Sequence, residues 1–312
     1  MKKVLAVAAL LGLAGAAQAQ VTIYGLIDMS VGQNEYLTTN GVATPEKNAQ
    51  IHSGGDDGSS QGNSTTRIGF KGTTVVAPGV KANFQLETNG ITSNGDIPAP
   101  TFNRQAWAGF SGSLGEIRVG KQDSVAFQTM IGFDFNGAAN AASAQGVSGA
   151  ATFGRGRVER SVQYISNDLG GLKVQAGMQL KGDMPLAEDS FALGVTYTAG
   201  PLAVAYTGES KRVKGGADFN AVAGSYDLGV AKIMLGYADG GAGAKGTTLG
   251  ITAPVAGMNV GLIYSKNSDT NVSGTELFIN KEIFKGTYAY FDYGNADKPN
   301  RNAYALGVIY TF

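Results

Sequence analysis

The segment from Asn302 to Phe312 alternates between two kinds of residue over the length of one β-strand. Successive side chains of a strand point to opposite faces, so one face of this segment is apolar and aromatic. That face carries Tyr304, Leu306, Val308, Tyr310 and Phe312. A water-soluble domain gains little from such a face. A strand of a transmembrane barrel needs one, with aromatic residues at the membrane interface.

The segment that begins at Gln20 has the same alternation. Its apolar face carries Val21, Ile23, Ile27, Met29 and Val31, and its opposite face carries Thr22, Tyr24, Asp28 and Ser30. Both ends of the region 20–312 therefore have the pattern of membrane strands, and we expect this region to form one all-β barrel domain.

Residues 1–19 have the features of a secretory leader. Lys2 and Lys3 precede the apolar run 4–13, and Ala17 and Ala19 supply a small-x-small cleavage site. The run is too short to cross a bilayer, and no later stretch approaches the ~20 consecutive apolar residues that a membrane helix needs. The sequence therefore predicts a cleaved signal peptide over 1–19, followed by membrane insertion through strands.

Composition narrows the function classes. Glycine accounts for 47 of 312 residues and cysteine for none, so disulfides and thiolate metal sites are excluded. The 24 basic and 24 acidic residues become 22 and 24 when Lys2 and Lys3 leave with the leader. A charge near −2 gives no reason to expect a nucleic-acid partner.

Two kinds of connection alternate along the chain, and their number predicts the strand count. Seven are tight turns of Gly, Pro and Asp: 77–79, 113–115, 168–171, 199–201, 227–229, 254–257 and 284–286. Eight are longer polar segments: 35–63, 91–101, 123–156, 182–188, 211–217, 239–245, 267–273 and 294–300. Fifteen connections join 16 antiparallel strands, with short turns at one end of the barrel and long loops at the other.

Polar residues on one face of the strands predict a water-filled interior. Lys81, Asn83, Gln85 and Glu87 alternate with apolar residues, and a barrel of ~16 strands is too wide for side chains to fill. The segment 102–110 is less regular, because Phe102 and Phe110 share a face with Arg104.

The third long loop, 123–156, has its own apolar residues. Phe127, Met130, Ile131, Phe133, Phe135 and Phe153 are costly to leave in water. Loops of this length are usually functional or disordered, and this composition argues against disorder. We expect the loop to fold into the lumen and narrow it. The alternative is a flap that packs over the mouth of the barrel.

Several segments together resemble the general porins of Gram-negative outer membranes, especially the beta-proteobacterial type. They are Val21–Asp28, Thr66–Gly72, Phe102–Trp107, Gly115–Gln122 and Phe312, in this order. The resemblance implies a trimer of 16-stranded barrels surrounded by outer-membrane lipid and lipopolysaccharide. It implies passive diffusion of small hydrophilic solutes and no cofactor. It also implies that the barrel-assembly machinery reads Phe312.

The resemblance further implies a constriction with basic residues on the wall and acidic residues on the third loop. The basic residues would be Arg67, Arg104 and Arg157, and the acidic ones Asp123 and Asp134. Arg67 and Arg104 each lie a few residues into a strand that descends from the long-loop end, so we expect similar heights. Three positive charges against two predict a weak anion preference. The alternative is that these arginines only form ion pairs inside the lumen.

The start of the sixth predicted strand is ambiguous. Arg157 stands on the face opposite Val158, Val162 and Tyr164, but Arg160 interrupts that apolar face. The local charge at this rim is therefore not fixed by the alternation.

Two other function classes are less consistent with the residues. A membrane-barrel hydrolase normally uses histidine as general base, and His52 is the only histidine. A plugged receptor or adhesin needs a plug-sized domain, for which the chain shows no separate segment. One loop histidine without cysteines also makes a metal site improbable.

Overall fold

A computed structural model describes residues 20–36, 38–39, 42–43, 45–56, 61–88, 90–97, 99–137, 140, 142–150 and 156–312. The predicted signal peptide, 1–19, lies outside these residues, as does Phe153. No helix in the described part of the chain is long and apolar enough to cross a membrane.

Sixteen strands form one closed antiparallel barrel, as the alternating connections predicted. The first eight strands are β1 (Gln20–Asn34), β2 (Arg67–Ala77), β3 (Val80–Glu87), β4 (Gln105–Gly112), β5 (Gly115–Asp123), β6 (Arg157–Ile165), β7 (Leu172–Gln179) and β8 (Ser190–Ala199). The other eight are β9 (Leu202–Glu209), β10 (Phe219–Asp227), β11 (Lys232–Asp239), β12 (Lys245–Val255), β13 (Met258–Asn267), β14 (Ser273–Phe284), β15 (Thr287–Asp297) and β16 (Asn300–Thr311).

Strand β1 closes the barrel. One edge pairs with β16 over Leu26–Asn34, and the other pairs with β2 over Gln20–Leu26. Nearer the long-loop end, the short strand Gln50–Ser53 of the first loop pairs with Met29–Gly32 on the same edge of β1 as β2. Closure satisfies the backbone groups of β1, which hydrocarbon cannot do.

The two faces of the strands separate as expected. On β1, Val21 and Ile23 are more than half exposed on the outer surface, whereas Asp28 and Ser30 are buried inside. On β16, Leu306 is exposed outside and Ala305 is buried inside. Lipid can cover the outer side chains, so this arrangement suits a membrane.

The last long connection is shorter than predicted. In place of a loop over 294–300, β15 and β16 continue as a hairpin, and only Lys298 and Pro299 join them. The structure explains the irregular pattern of segment 102–110, because β4 begins only at Gln105.

Arg104 precedes the strand, so the alternation of the strand does not determine which face the Arg104 side chain takes.

A β-bulge in β6 changes which of its residues face the lumen. Arg160 has a φ of +50°, and the register with β5 shifts by one residue at this point. Val158 consequently turns inward and is buried, although Val162 and Tyr164 stay on the outer surface. The ambiguity seen at Arg160 in the sequence therefore marks a change of face.

The third loop folds into the lumen. It forms helix α1 (Val125–Met130), a 3₁₀ turn (Ile131–Phe133) and helix α2 (Ala144–Ser148). Ser124 caps α1 by accepting a hydrogen bond from the Phe127 N–H at 3.0 Å. Apolar side chains of α1 and the 3₁₀ turn pack against the inner faces of β9–β11.

Candidate functional site

Glycines on the inner wall form a seat for the third loop. A Cβ atom added at Gly194 of β8 would lie 2.1 Å from Thr129 Oγ1 of α1. At Gly274 of β14 and Gly294 of β15, it would lie 2.3 Å from the carbonyl oxygens of Ala144 and Ala142. The loop thus touches the wall where side chains are missing, and it crosses the lumen between two fixed ends.

Three predicted wall arginines lie together near the long-loop end. Arg104 Nε is 2.6 Å from Glu87 Oε1, and Arg67 Nε is 3.8 Å from Glu87 Oε2. Arg157 Nε is 3.1 Å from Asp123 Oδ1, at the paired ends of β6 and β5. The charges of the three arginines act on one another and on both carboxylates. The structure therefore brings Arg67, Arg104, Arg157 and Asp123 into one cluster.

Glu87 is the member of this cluster that the sequence prediction omitted. It is buried between Arg67 and Arg104, and it accepts a hydrogen bond from Tyr24 Oη at 2.8 Å. Gln85 Nε2 donates to the same Tyr24 oxygen at 2.6 Å. Glu87 ends the polar face of β3, so the alternation places it in the lumen. Its partners come from other parts of the chain.

Asp134 lies apart from the arginines. It follows the 3₁₀ turn and accepts a hydrogen bond from the Asn136 N–H at 2.9 Å. The Asn136 side chain donates to Glu276 Oε1 at 2.8 Å and to Asp292 Oδ1 at 3.0 Å. The structure therefore places Asp134 beside wall carboxylates of β14 and β15, and no ion pair between described residues joins it to Arg67, Arg104 or Arg157.

Burial raises the pKa of Asp134 to about 6, and the nearby Asp292 acts in the same direction. Asp134 in the seated loop therefore holds its carboxyl proton more tightly than it would in a loop detached from the wall. The seated position of the loop is favoured at low pH, and it loses this stabilisation as the pH rises through about 6. Buried Glu276 and Asp292 face the same site and add to this repulsion when ionised.

We expect the open-channel current of single molecules to become noisier between pH 5 and pH 7.5, and Asp134→Asn to reduce that increase. The neutral amide removes the repulsion. Asp96→Asn, at an exposed carboxylate of the second loop, is the control. Identical pH profiles for parent and Asp134→Asn would contradict the assignment.

His52 lies in the first loop beside an acidic residue of the same loop. It is buried, and its Nε2 lies 3.3 Å from Glu46 Oε2. Among the residues that the structure describes, no three His, Cys, Asp or Glu side chains are arranged to hold a metal ion. His52 therefore ties parts of the first loop together.

Comparisons with known proteins agree with this architecture. A family model described as Gram-negative porin matches residues 6–312. An outer membrane porin protein of Bordetella pertussis is 30% identical over 81% of this chain and 74% of the relative. Outer membrane porin protein 32 of Delftia acidovorans is 29% identical over 99% of this chain and 92% of the relative.

Solved structures share the fold. The anion-selective porin from Comamonas acidovorans superposes with a TM-score of 0.75 at 21% identity, covering 95% of this chain and all of that one. OmpT of Vibrio cholerae gives a TM-score of 0.61 at 16% identity, covering 94% and 98%. Porins are channels and not enzymes, which excludes the hydrolase alternative. With a closed barrel, a loop across its lumen and a family match over nearly its whole length, the chain belongs to the Gram-negative porins, outer-membrane channels for passive diffusion.

Proposed function

We propose that this porin prefers small anions weakly and that the cluster of Arg67, Arg104 and Arg157 sets this preference. The observation that carries the proposal is the imbalance of charge: three guanidinium groups share two carboxylates, Glu87 and Asp123. The cluster retains about one positive charge beside the third loop. Low-dielectric walls focus the field of such a cluster on passing ions.

Asp134 has a different role in this proposal. Its carboxyl is buried against the wall, so it makes the position of the loop depend on pH and adds little to the field in the water. The relative from Comamonas acidovorans is described as anion-selective, which supports the same sign for this chain.

Arg104→Gln should shift the reversal potential toward cations, because it removes one positive charge and leaves Glu87 with Arg67 at 3.8 Å. The shift should be clear at 0.1 M salt and small at 1 M, because the screening length falls from ~10 Å to ~3 Å. Planar bilayers with a salt gradient provide the measurement.

Lys47→Gln is the control for Arg104→Gln, since it removes an exposed charge of the first loop. It should leave the reversal potential unchanged. An unchanged potential for Arg104→Gln at low salt would remove Arg104 from the constriction. A cation-selective parent would overturn the proposed sign.

We propose a homotrimer in which β1–β5 form the subunit interface. Aromatic residues mark the membrane interface of a lipid-facing wall. The exposed outer-face tyrosines of the described chain are Tyr164, Tyr197, Tyr206, Tyr226, Tyr237, Tyr264, Tyr293 and Tyr310. All of them lie on β6 and later strands. The part of the wall without them is therefore the better candidate for contact with protein.

Val119→Cys on β5 should crosslink subunits with a short bis-maleimide, and Leu235→Cys on β11 should not. The two side chains are 55% and 56% exposed on the outer face, so they are matched in access. The chain has no other cysteine. Gel analysis in mild detergent gives the result. Crosslinks at Leu235→Cys alone would place the interface elsewhere, and a monomeric mass would exclude the trimer.

Lipid and assembly partners complete the proposal. The apolar outer face of β6–β16, with its tyrosines, supports contact with outer-membrane lipid and, on the long-loop side, with lipopolysaccharide. The terminal strand and Phe312 support recognition by the barrel-assembly machinery.

A further inference from the structure

A second site lies in the lumen between the third loop and the short-turn end of the barrel. It is a cavity of about 430 Å³ whose floor is formed by inward residues of β5–β8 and whose roof is the third loop. Arg118 stands on β5 five positions below Asp123, and Lys173 is the second residue of β7. The cavity is therefore on the route of a solute that has passed the arginine cluster.

One side of this cavity is cationic. The Arg118 guanidinium lies 4.3 Å from the centre of the Trp107 ring, and its Nη2 is 2.6 Å from Glu116 Oε2. These contacts fix the side chain, yet its buried Nε has no hydrogen-bond partner. Lys173 is exposed to the lumen, and no described residue forms an ion pair with it. Lys173 is therefore available to an anion, and Arg118 offers beside it the guanidinium N–H groups that Glu116 does not occupy.

The opposite side is apolar. Phe127 and Ile131 of the third loop are only half-buried, in contrast to Ala126, Met130 and Phe133, which pack against the wall. An apolar group that covered Phe127 and Ile131 would gain roughly 25 cal/mol for each Å² removed from water. The uncovered part of these two side chains is therefore free to contact a solute.

The polar atoms that remain also suit an anion. Gln175 and Thr196 add hydrogen-bonding groups beside Lys173. The one carboxylate of the cavity, Asp123, lies at its edge and is held by Arg157 at 3.1 Å. Lys173 is therefore the charge of this lining that no described acidic residue neutralises.

We propose that this cavity is a subsite for small organic anions that combine one carboxylate with a ring or a short branched chain. The carboxylate binds Arg118 and Lys173 through charge-assisted hydrogen bonds, and the apolar body packs on Phe127 and Ile131. Binding is weak, as a diffusion channel requires, and it enriches such solutes below the constriction. The subsite rests on the proposed anion preference, because it is reached through the arginine cluster.

Chloride current through single channels in the presence of benzoate tests the subsite. Acetate has the charge without the ring, and benzyl alcohol has the ring without the charge. Benzoate should block the current saturably, and acetate should need a concentration about tenfold higher for the same block. Benzyl alcohol should not block. Equal block by benzoate and acetate, or block without saturation, would overturn the proposal.

Variants assign the two halves of the subsite. Lys173→Gln should raise the half-blocking concentration of benzoate about tenfold, and Phe127→Ala should raise it severalfold without changing that of acetate. Lys81→Gln removes another lumenal lysine, on β3, and should have no effect. Equal effects of Lys173→Gln and Lys81→Gln would reduce the subsite to general electrostatics. Reversal potentials of the same channels separate the two proposals: an anion-selective parent without benzoate block refutes only the subsite, whereas a cation-selective parent refutes the constriction.

Discussion

Replacing both Gly274 and Gly294 by alanine should lift the second half of the third loop from the wall and raise single-channel conductance about twofold. Each new Cβ atom would lie 2.3 Å from a carbonyl oxygen of the loop, at Ala144 and Ala142. Backbone atoms cannot rotate away as a flexible side chain can, so the loop must move. Overpacking of this kind typically costs about 1–3 kcal/mol at each site.

Gly236→Ala is the matched control for the double variant. Gly236 faces the lumen from β11, but the nearest atom to its added Cβ, Ala223 Cβ, is 3.6 Å away, which is an ordinary contact. The conductance of the Gly236→Ala variant should equal that of the parent. Folded barrel should be verified by gel mobility before and after heating. A double variant that conducts like Gly236→Ala would show that the glycines do not hold the loop.

Deleting Phe312 should reduce folded protein in outer membranes about tenfold, because the deletion leaves Gly25 unpaired in hydrocarbon. The Phe312 N–H donates to the Gly25 carbonyl at 3.2 Å, and the Gly25 N–H donates to the Phe312 carbonyl at 2.9 Å. The Phe312 ring also stacks on Tyr310, with 6.0 Å between ring centres. Heat-modifiable mobility of membrane fractions measures the loss.

Phe284→Ala is the control for the deletion, since it removes an aromatic ring that is 73% exposed near a short turn. It should fold normally. Refolding of the purified deletion variant in detergent separates two causes. Normal refolding there, with loss in the membrane, assigns the defect to recognition by the assembly machinery. Equal membrane yields for the deletion and Phe284→Ala would exclude both causes.

The sequence predicts the barrel well because each strand must satisfy lipid on one side and water on the other. That requirement is local, and it appears as alternation in segments such as Gln20–Asn34. Connection length is less predictable, since a hairpin can extend beyond the membrane. Lys298 and Pro299 join two such extended strands within a segment whose composition is that of a loop.

The candidate site is predictable only in part. Arg67 and Glu87 follow from their places on alternating strands, but the contact between them depends on barrel register. Asp134 could not be assigned from its type, because an acidic loop residue can face either wall. The glycine seat at Gly274 and Gly294 and the side chain of Asn136 decide its direction.

The pairing of β1 also has a consequence for folding kinetics. One edge of β1 finds its partners, β2 and Gln50–Ser53, close in sequence, whereas the other edge must wait for β16 at the far end of the chain. The entropy of closing so long a loop grows only slowly with its length, but contacts of such separation form late. Until then the open sheet has two free edges, on which another chain can pair. We therefore expect the time needed to form a closed pore to depend more on this single long-range encounter than on the stability of the hairpins.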